Sequence, residues 1–292
     1  MFKGSLTALV TPFRNDAVDD AGFQKFVDWQ IREGIDGVVP VGTTGECPTL
    51  SHEEHQRVVE LAIEVAKGRV PVIAGTGSNA TQEAIDLTRH AEKAGADAAL
   101  VVLPYYNRPT PEGQFQHFKA IHDATDLPII IYNVPPRSAV DMSVDTMKRC
   151  AELPRVVGVK DATADLARPL RTKLVIGADF CQLSGEDATA LPFLVQGGVG
   201  CISVTSNVAP KLTSQMHAAW RAGDLKKAME INERLMPVND AMFCETSPGP
   251  VKYALSIMGH IQADLRMPLV PISTVSKQKV EVALKKAGLI GQ

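Results

Sequence analysis

Short runs rich in β-branched and other apolar residues recur eight times in this chain, at residues 6–10, 37–41, 70–74, 98–103, 128–132, 156–160, 180–183 and 200–204. Successive runs begin roughly 20 to 35 residues apart, the repeat of a strand followed by a helix. The intervening segments carry apolar residues at helical spacing, with start and stop signals. Phe23, Phe26, Val27 and Ile31 share one face ahead of Gly34, and Ser51 with Glu54 forms a capping box before Val58, Val59, Ala62 and Val65. Thr110 followed by Pro111 opens another helix, with Phe115, Phe118 and Ile121 as its stripe, and Gly95 closes the one through Ala84, Leu87 and Ala91. Strands alternating with helices in this number predict an α/β fold, a (β/α)8 TIM barrel, with a doubly wound sheet as the lesser alternative.

From about residue 210 the sequence reads only as helix, at 212–222, 225–236, 251–258 and 274–287. That is more helix than one closing unit needs. The expected organisation is a barrel over residues 1–225 and a small carboxyl-terminal helical region over 226–292 packed on it, since no Pro/Ser-rich linker separates them. A chain of 292 residues is long enough for one large core of this kind.

The formal charge of −3, with no block of like charges, leaves no electrostatic footprint for nucleic acid or an anionic membrane, so a small-molecule function is expected. Cys47, Cys150, Cys181, Cys201 and Cys244 are scattered and include no Cys-x-x-Cys pair, the pattern of reduced thiols in a cytoplasmic protein. No basic segment followed by a cleavable apolar stretch begins the chain, and no apolar run approaches 18 residues. A soluble, unprocessed protein is expected.

Lys160 ends the run Val156, Val157, Gly158, Val159. Alternation along a strand puts Val156, Gly158 and Lys160 on one face and Val157, Val159 and Asp161 on the other. In a barrel of parallel strands the carboxyl end carries the chemistry, and an inward lysine among apolar walls is driven toward its neutral, nucleophilic form. The alternative for the run taken alone is a lysine that snorkels into solvent. After the second run, Gly42, Thr43, Thr44, Gly45 and Glu46 form a turn of small residues with two hydroxyls and open backbone N–H groups. Such a turn can hold a carboxylate, or can simply be tight, and it lacks the lysine of a phosphate-binding loop. After the fifth run, Tyr132 offers a phenol for proton transfer and Arg137 a guanidinium fork for a second carboxylate.

Two other patterns fail on spacing or context. Gly75 to Ala80 imitates a dinucleotide fingerprint but falls in the third unit of a repeat that never reads as a Rossmann half. His52 and His55 are three apart, not four, with no evident third ligand, so no metal is expected.

Lys160, Tyr132 and the Gly42 to Glu46 turn all fall at one rim of such a barrel. With them stand residues 41–46, the run Pro104, Tyr105, Tyr106, Asn107, Arg108, Pro109, residues 132–137 and 158–163, Leu183, Ser184, Gly185, and residues 200–204. On these motifs the chain, from residue 2 to residue 289, resembles the dihydrodipicolinate synthase family of the class I aldolase superfamily, which also contains N-acetylneuraminate lyase.

The resemblance implies that Lys160 forms a Schiff base with pyruvate, and that the derived enamine condenses with L-aspartate 4-semialdehyde to give 4-hydroxy-tetrahydrodipicolinate for diaminopimelate and lysine biosynthesis. It implies no cofactor. Tyr132 is expected to shuttle protons, linked through Thr43 to Tyr106 of a neighbouring subunit, which requires a homo-oligomer; the family pattern is a tetramer of two tight dimers. Thr44 and the backbone at Ile202 match positions that hold pyruvate, Arg137 the one that receives the semialdehyde carboxylate, and Ser184 and Gly185 line the same rim. L-lysine is the expected feedback effector, at His52, His55, Asn79, Glu83 and Tyr105 with Leu50 nearby; on the alternative reading these are ordinary polar residues at two helix starts, with His55 exposed. Cys47 and Pro48 depart from the small hydroxyl or alanyl residues of sensitive members, which puts the strength of inhibition in doubt. The rival functions are a sugar-acid or neuraminate aldolase, which has less use for Arg137, and a non-catalytic pyruvate-binding sensor, which has no use for an intact relay.

Overall fold

The structure is a computed structural model and describes residues 2–291. It resolves into two compact units, one built on Pro71–Ile202 and the other on Gly4–Val70 together with the segment from Ser203 onward.

The second of these begins with β1 (Gly4–Ala8), a hairpin of β2 (Phe13–Arg14) and β3 (Ala17–Val18), α1 (Asp20–Arg32), β4 (Gly37–Val39) and α2 (His52–Ala66). β1 and β4 are parallel, with Leu6 opposite Gly37 and Ala8 opposite Val39. The capping box is present: Glu54 N–H donates to Ser51 Oγ at 3.2 Å and Ser51 N–H to the Glu54 carboxylate at 2.9 Å. β1 ends two residues short of the expected run because the Asn207 side chain replaces the ladder there. Its amide donates to Ala8 O at 2.8 Å and its carbonyl accepts from Val10 N–H at 3.1 Å.

The other unit alternates β5 (Ile73–Gly75), α3 (Thr81–Ala94), β6 (Ala98–Val102), α4 (Pro111–Ala124), β7 (Ile129–Asn133), α5 (Pro135–Ser138), α6 (Val144–Ala151), β8 (Val156–Asp161), α7 (Arg168–Ile176), β9 (Cys181–Ser184), α8 (Ala190–Val195) and β10 (Gly200–Ser203). The strands pair in parallel in their order along the chain, from β5 to β10. A doubly wound sheet reverses its strand order at a switch point; six consecutive neighbours without reversal exclude it. Burial is nearly continuous along β6, β7 and β8, as parallel strands covered on both faces require. The start of β5 is delayed because Val72 N–H donates to the Asp97 carboxylate at 2.8 Å. Gly77 has a packing cause: a Cβ there would lie 2.2 Å from Val102 N. Gly77 of the fingerprint-like run thus serves close strand approach.

The chain closes with α9 (Pro210–Arg221), α10 (Leu225–Met242), α11 (Gly249–Ile257) and α12 (Thr274–Lys286). The sequence places the end of α10 just before Pro237, yet the helix continues through it to Met242. An interior proline costs about 3 kcal/mol. Burial of Leu235, Val238 and Met242 on both sides of it offsets that cost.

Two histidines are enclosed without charge. Burial pushes His117 down to about 4, and burial with the nearby Arg221 charge pushes His217 down to about 3, against an ordinary 6.5. As pH falls below 6.5 the unfolded chain takes up these protons while the folded chain does not, so the stability they permit is complete above 6.5 and declines toward pH 4. The loss should reach on the order of a few kcal/mol. Thermal melts from pH 7 to 4.5 should show a falling Tm, with a shallower slope in His217→Gln; identical slopes would rule out this origin.

Candidate active site

Lys160 sits on β8 opposite Tyr132 on β7, and Asp161 opposite Asn133. The preceding Gly158 allows the strands to close up, since a Cβ there would lie 2.3 Å from Cys181 O. Lys160 does not snorkel: it is 5% exposed, and its Nζ stands 4.2 Å from the centre of the Tyr132 ring, itself buried. Gly185 flanks its stem, where a Cβ would meet Lys160 Cε at 3.2 Å and Ala162 Cβ at 2.7 Å. A side chain at Gly185 would therefore clash with Ala162 and press on the lysine stem.

Glu186 joins this cluster and was not singled out by the sequence. Burial raises its carboxyl above the usual range and the Asp187 charge adds to this, while the Lys160 and Arg137 charges pull it back down. Those influences put the carboxyl in the same local field as the amine and the guanidinium. Ser184 shapes the turn, its Oγ donating to Glu186 O at 3.0 Å and accepting from Glu186 N–H at 3.1 Å. Arg137 projects from the single turn of α5 and is exposed, free to meet a ligand. Ile202 is fully buried on β10. Neighbouring Cys201 is no nucleophile, because burial pushes its thiol well above the ordinary value.

Thr43 and Thr44 belong to the other unit, in a 3₁₀ turn over Thr43–Gly45. The turn is held by Gly45 N–H to Gly42 O at 3.0 Å, Glu46 N–H to Thr43 O at 3.1 Å and Thr11 Oγ1 to Gly45 O at 2.7 Å. Thr44 is buried and Thr43 half-buried. Glu46 ends the turn at a left-handed φ of 56° and is buried in an ion pair with Lys252 of α11, Nζ to Oε1 at 2.5 Å. Lys252 is fully buried, donates to Asp264 O at 2.8 Å, and lies 4.0 Å from the Phe13 ring centre. Arg266 N–H supplies the second Glu46 oxygen at 3.2 Å. Burial lowers Lys252 to about 8 against the pull of the Glu46 charge. Lys252 escaped the sequence reading because a lysine in a helix is ordinarily solvated; the nearly all-apolar run around it was the available signal.

The residues matched to an effector site fall into two sets. In the Pro71–Ile202 unit, Ser78 Oγ donates to the Glu83 carboxylate, and the Asn107 amide donates to Asn79 O at 2.8 Å, tying the loop after β6 to the start of α3. Within that loop Tyr105 is 36% exposed and Tyr106 90% exposed, the latter at φ 70°. A bulky residue in the left-handed region is strained. In the other unit Leu50 and His55 are buried and His52 is exposed, at the start of α2. His55 is thus not the exposed helix residue of the alternative reading. Cys47 and Pro48 lie in a second 3₁₀ turn, Cys47–Thr49. Among the described residues no group of three or more His, Cys, Asp or Glu side chains is arranged to hold a metal ion.

The sequence model of the Dihydrodipicolinate synthetase family matches residues 1–287. A 4-hydroxy-tetrahydrodipicolinate synthase of Rhodospirillum centenum is 64% identical over 290 residues, covering 99% of this chain and all of the relative. Among solved structures, the chloride inhibited dihydrodipicolinate synthase from Acinetobacter baumannii complexed with pyruvate is 46% identical with a TM-score of 0.97, covering 99% of this chain and 100% of that one. The enzyme from Cyanidioschyzon merolae with lysine bound is 35% identical with a TM-score of 0.96, covering 99% of each chain. The fold is that of these barrels, and the chain belongs to the dihydrodipicolinate synthetase family.

Proposed function

We propose that the protein is a lyase that condenses pyruvate with L-aspartate 4-semialdehyde to 4-hydroxy-tetrahydrodipicolinate, the committed step toward diaminopimelate and lysine. The observation that carries this is the buried amine of Lys160 against the Tyr132 phenol ring, in a chain that matches the family over nearly its whole length. The amine adds to the pyruvate ketone and water leaves, giving an iminium that acts as an electron sink. The methyl group then loses a proton, and the resulting enamine attacks the semialdehyde carbon to form the new C–C bond. The amine of the second substrate displaces Lys160 by transimination, closing the ring and restoring the free lysine. No cofactor takes part in this scheme.

The roles proposed for the other residues rest on the family resemblance. Tyr132 moves protons, connected through Thr43 to Tyr106 of a neighbouring subunit; Thr44 and the backbone at Ile202 receive pyruvate; Arg137 receives the second carboxylate. Gly185 leaves room for the lysine stem. The nearly full exposure of Tyr106 supports its use by another copy of the chain. A second contact, as in a dimer of dimers, is supported by Leu170 and Leu174, one turn apart on α7 and exposed, with exposed Val195 on α8. The cytoplasm is the proposed compartment, in keeping with five free cysteines. L-lysine is the proposed effector at His52, His55, Asn79, Glu83 and Tyr105, near Leu50; the glutamate suits an ammonium, and the amide and phenol suit a carboxylate.

Borohydride added with pyruvate should fix a stable amine adduct on Lys160; mass spectrometry that finds none, or finds it on another lysine, removes the proposal. A coupled assay should show turnover with pyruvate and aspartate semialdehyde and little with neuraminate or keto-deoxy sugar acids. Gly185→Ala should lower kcat by roughly 10²-fold through displacement of the lysine. Hybrids of Tyr106→Phe and Lys160→Ala chains should regain partial activity, whereas verified hybrids that stay inactive would place Tyr106 in its own barrel. Initial rates should fall with millimolar L-lysine, and Glu83→Ala should blunt the response; an insensitive native enzyme eliminates the effector assignment.

A further inference from the structure

Lys160 and Tyr132 face each other across β7 and β8, and the residue after each points to the opposite face, toward the helices. Those two residues, Asp161 and Asn133, are both buried and both polar. Asp161 meets a buried guanidinium directly, and Asn133 meets it through the segment 141–142. Arg168, the first residue of α7 and itself buried, sets its Nε 3.3 Å from Asp161 Oδ2 and its Nη1 3.1 Å from Asp141 Oδ2. Its Nη2 donates to Met142 O. Asn133 grips the same short segment from the other side, its amide donating to Asp141 Oδ1 at 2.7 Å and its carbonyl accepting from Met142 N–H at 3.2 Å. The guanidinium thereby joins the end of β8 and the start of α7 to the segment 141–142, which Asn133 in turn ties to the end of β7.

We infer that Arg168 is a positioning residue for the reaction, fixing the Lys160 amine relative to the Tyr132 phenol by bracing the two strand ends that carry them. The inference rests on the proposed Schiff-base role of Lys160. Each of these strands ends one residue past Tyr132 or Lys160; the carbonyls of Asn133 and Asp161 still accept from Ala162 N–H at 2.9 Å and Gly185 N–H at 2.6 Å, and beyond those bonds the strand ends depend on side-chain contacts. A rotation at Asp161 or Asn133 swings the amine or the phenol through an arc of comparable size. The planar fork of arginine suits this place, because it can reach a carboxylate, a second carboxylate and a carbonyl at fixed angles, which the single ammonium of lysine cannot. The Asp161 carboxyl also depends on it. Burial drives that group above the usual carboxylate range, while Thr163, donating N–H and Oγ1 to Oδ1 at 2.9 and 2.6 Å, and the Arg168 charge work to keep it ionised. Loss of the guanidinium leaves a buried carboxylate with no cation, so the strand end must rearrange or take up a proton.

The test is the rate constant for imine formation with saturating pyruvate, read by rapid quench into borohydride and mass spectrometry, well below the Tm of each variant. Arg168→Lys and Arg168→Met should each slow imine formation by roughly 10- to 100-fold, the scale of a displacement near 1 Å, while Lys160 is still labelled to completion. Combining Arg168→Met with Asp161→Asn should be less damaging than the product of the two single effects, because no charge is then left stranded. Folded Arg168 variants that form the imine at the unaltered rate, or losses that multiply independently, overturn the brace. If neither Arg168 variant folds, Asp141→Asn decides the matter, since Asp141 is half-exposed and links Arg168 to Asn133. It should slow the same step several-fold, and an unaltered rate there overturns the brace as well. Absence of any Lys160 adduct in the unaltered protein overturns both the brace and the functional reading, whereas an adduct formed equally fast in all variants overturns the brace alone.

Discussion

Parallel pairing of strands is the constraint on which the rest of this structure depends. A parallel neighbour can be reached only by a crossover that brings the chain back to the starting end, so each strand from β5 to β9 is followed by a helix and the strands β5 to β10 end on the same side. Residues at consecutive strand ends are then set side by side by register alone. Lys160 is opposite Tyr132, and β9 ends beside β8 with Leu183 opposite Lys160 and Ser184 opposite Asp161. Lys160 and Tyr132 are thus placed by backbone hydrogen bonds. What remains to be controlled is the chain just beyond Asn133 and Asp161, whose carbonyls accept the last of these bonds from Ala162 and Gly185 N–H.

That control falls to buried charge. Glu46 is held by Lys252 at the end of the threonine turn, and Asp161 by Arg168 one residue beyond the lysine. Ion pairs removed from water seldom add net stability over well-packed apolar side chains, whereas breaking one strands a charge at a cost of about 3 to 5 kcal/mol. Each pair is therefore a poor source of stability and a strong restraint on geometry. In each pair the cation comes from a helix, Lys252 from α11 and Arg168 from the start of α7.

The surface is incomplete in the same economical way. The loop after β6 is anchored through Asn107 to Asn79, yet it holds the Tyr106 phenol in solvent on a strained backbone. Strain in a bulky residue persists only where the surroundings over-determine it. A phenol fixed in place and left uncovered is suited to a partner surface, and the exposed leucines of α7 present a second apolar face to solvent.

Much of this was legible in the amino-acid sequence because it rests on local chemistry. The period of the apolar runs, the Ser51 and Glu54 capping box, the glycine stop at Gly95 and the lysine at a strand end are all decided within a few residues. The family followed from motifs of the same short range. Other features were not legible. α10 runs through Pro237 because its buried residues lie on both sides of the proline, a gain that no local propensity contains. Glu186, Arg168 and Lys252 look in the sequence like solvated surface charges, and only the folded chain shows them buried or half-buried beside specific partners. The sequence by itself determined which residues could do the chemistry, since side-chain type and strand period are properties of the chain. The tertiary structure alone decided what holds them in place, because the energy of a buried charge depends on which distant segment brings its counter-charge, and that proximity does not exist until the chain has folded.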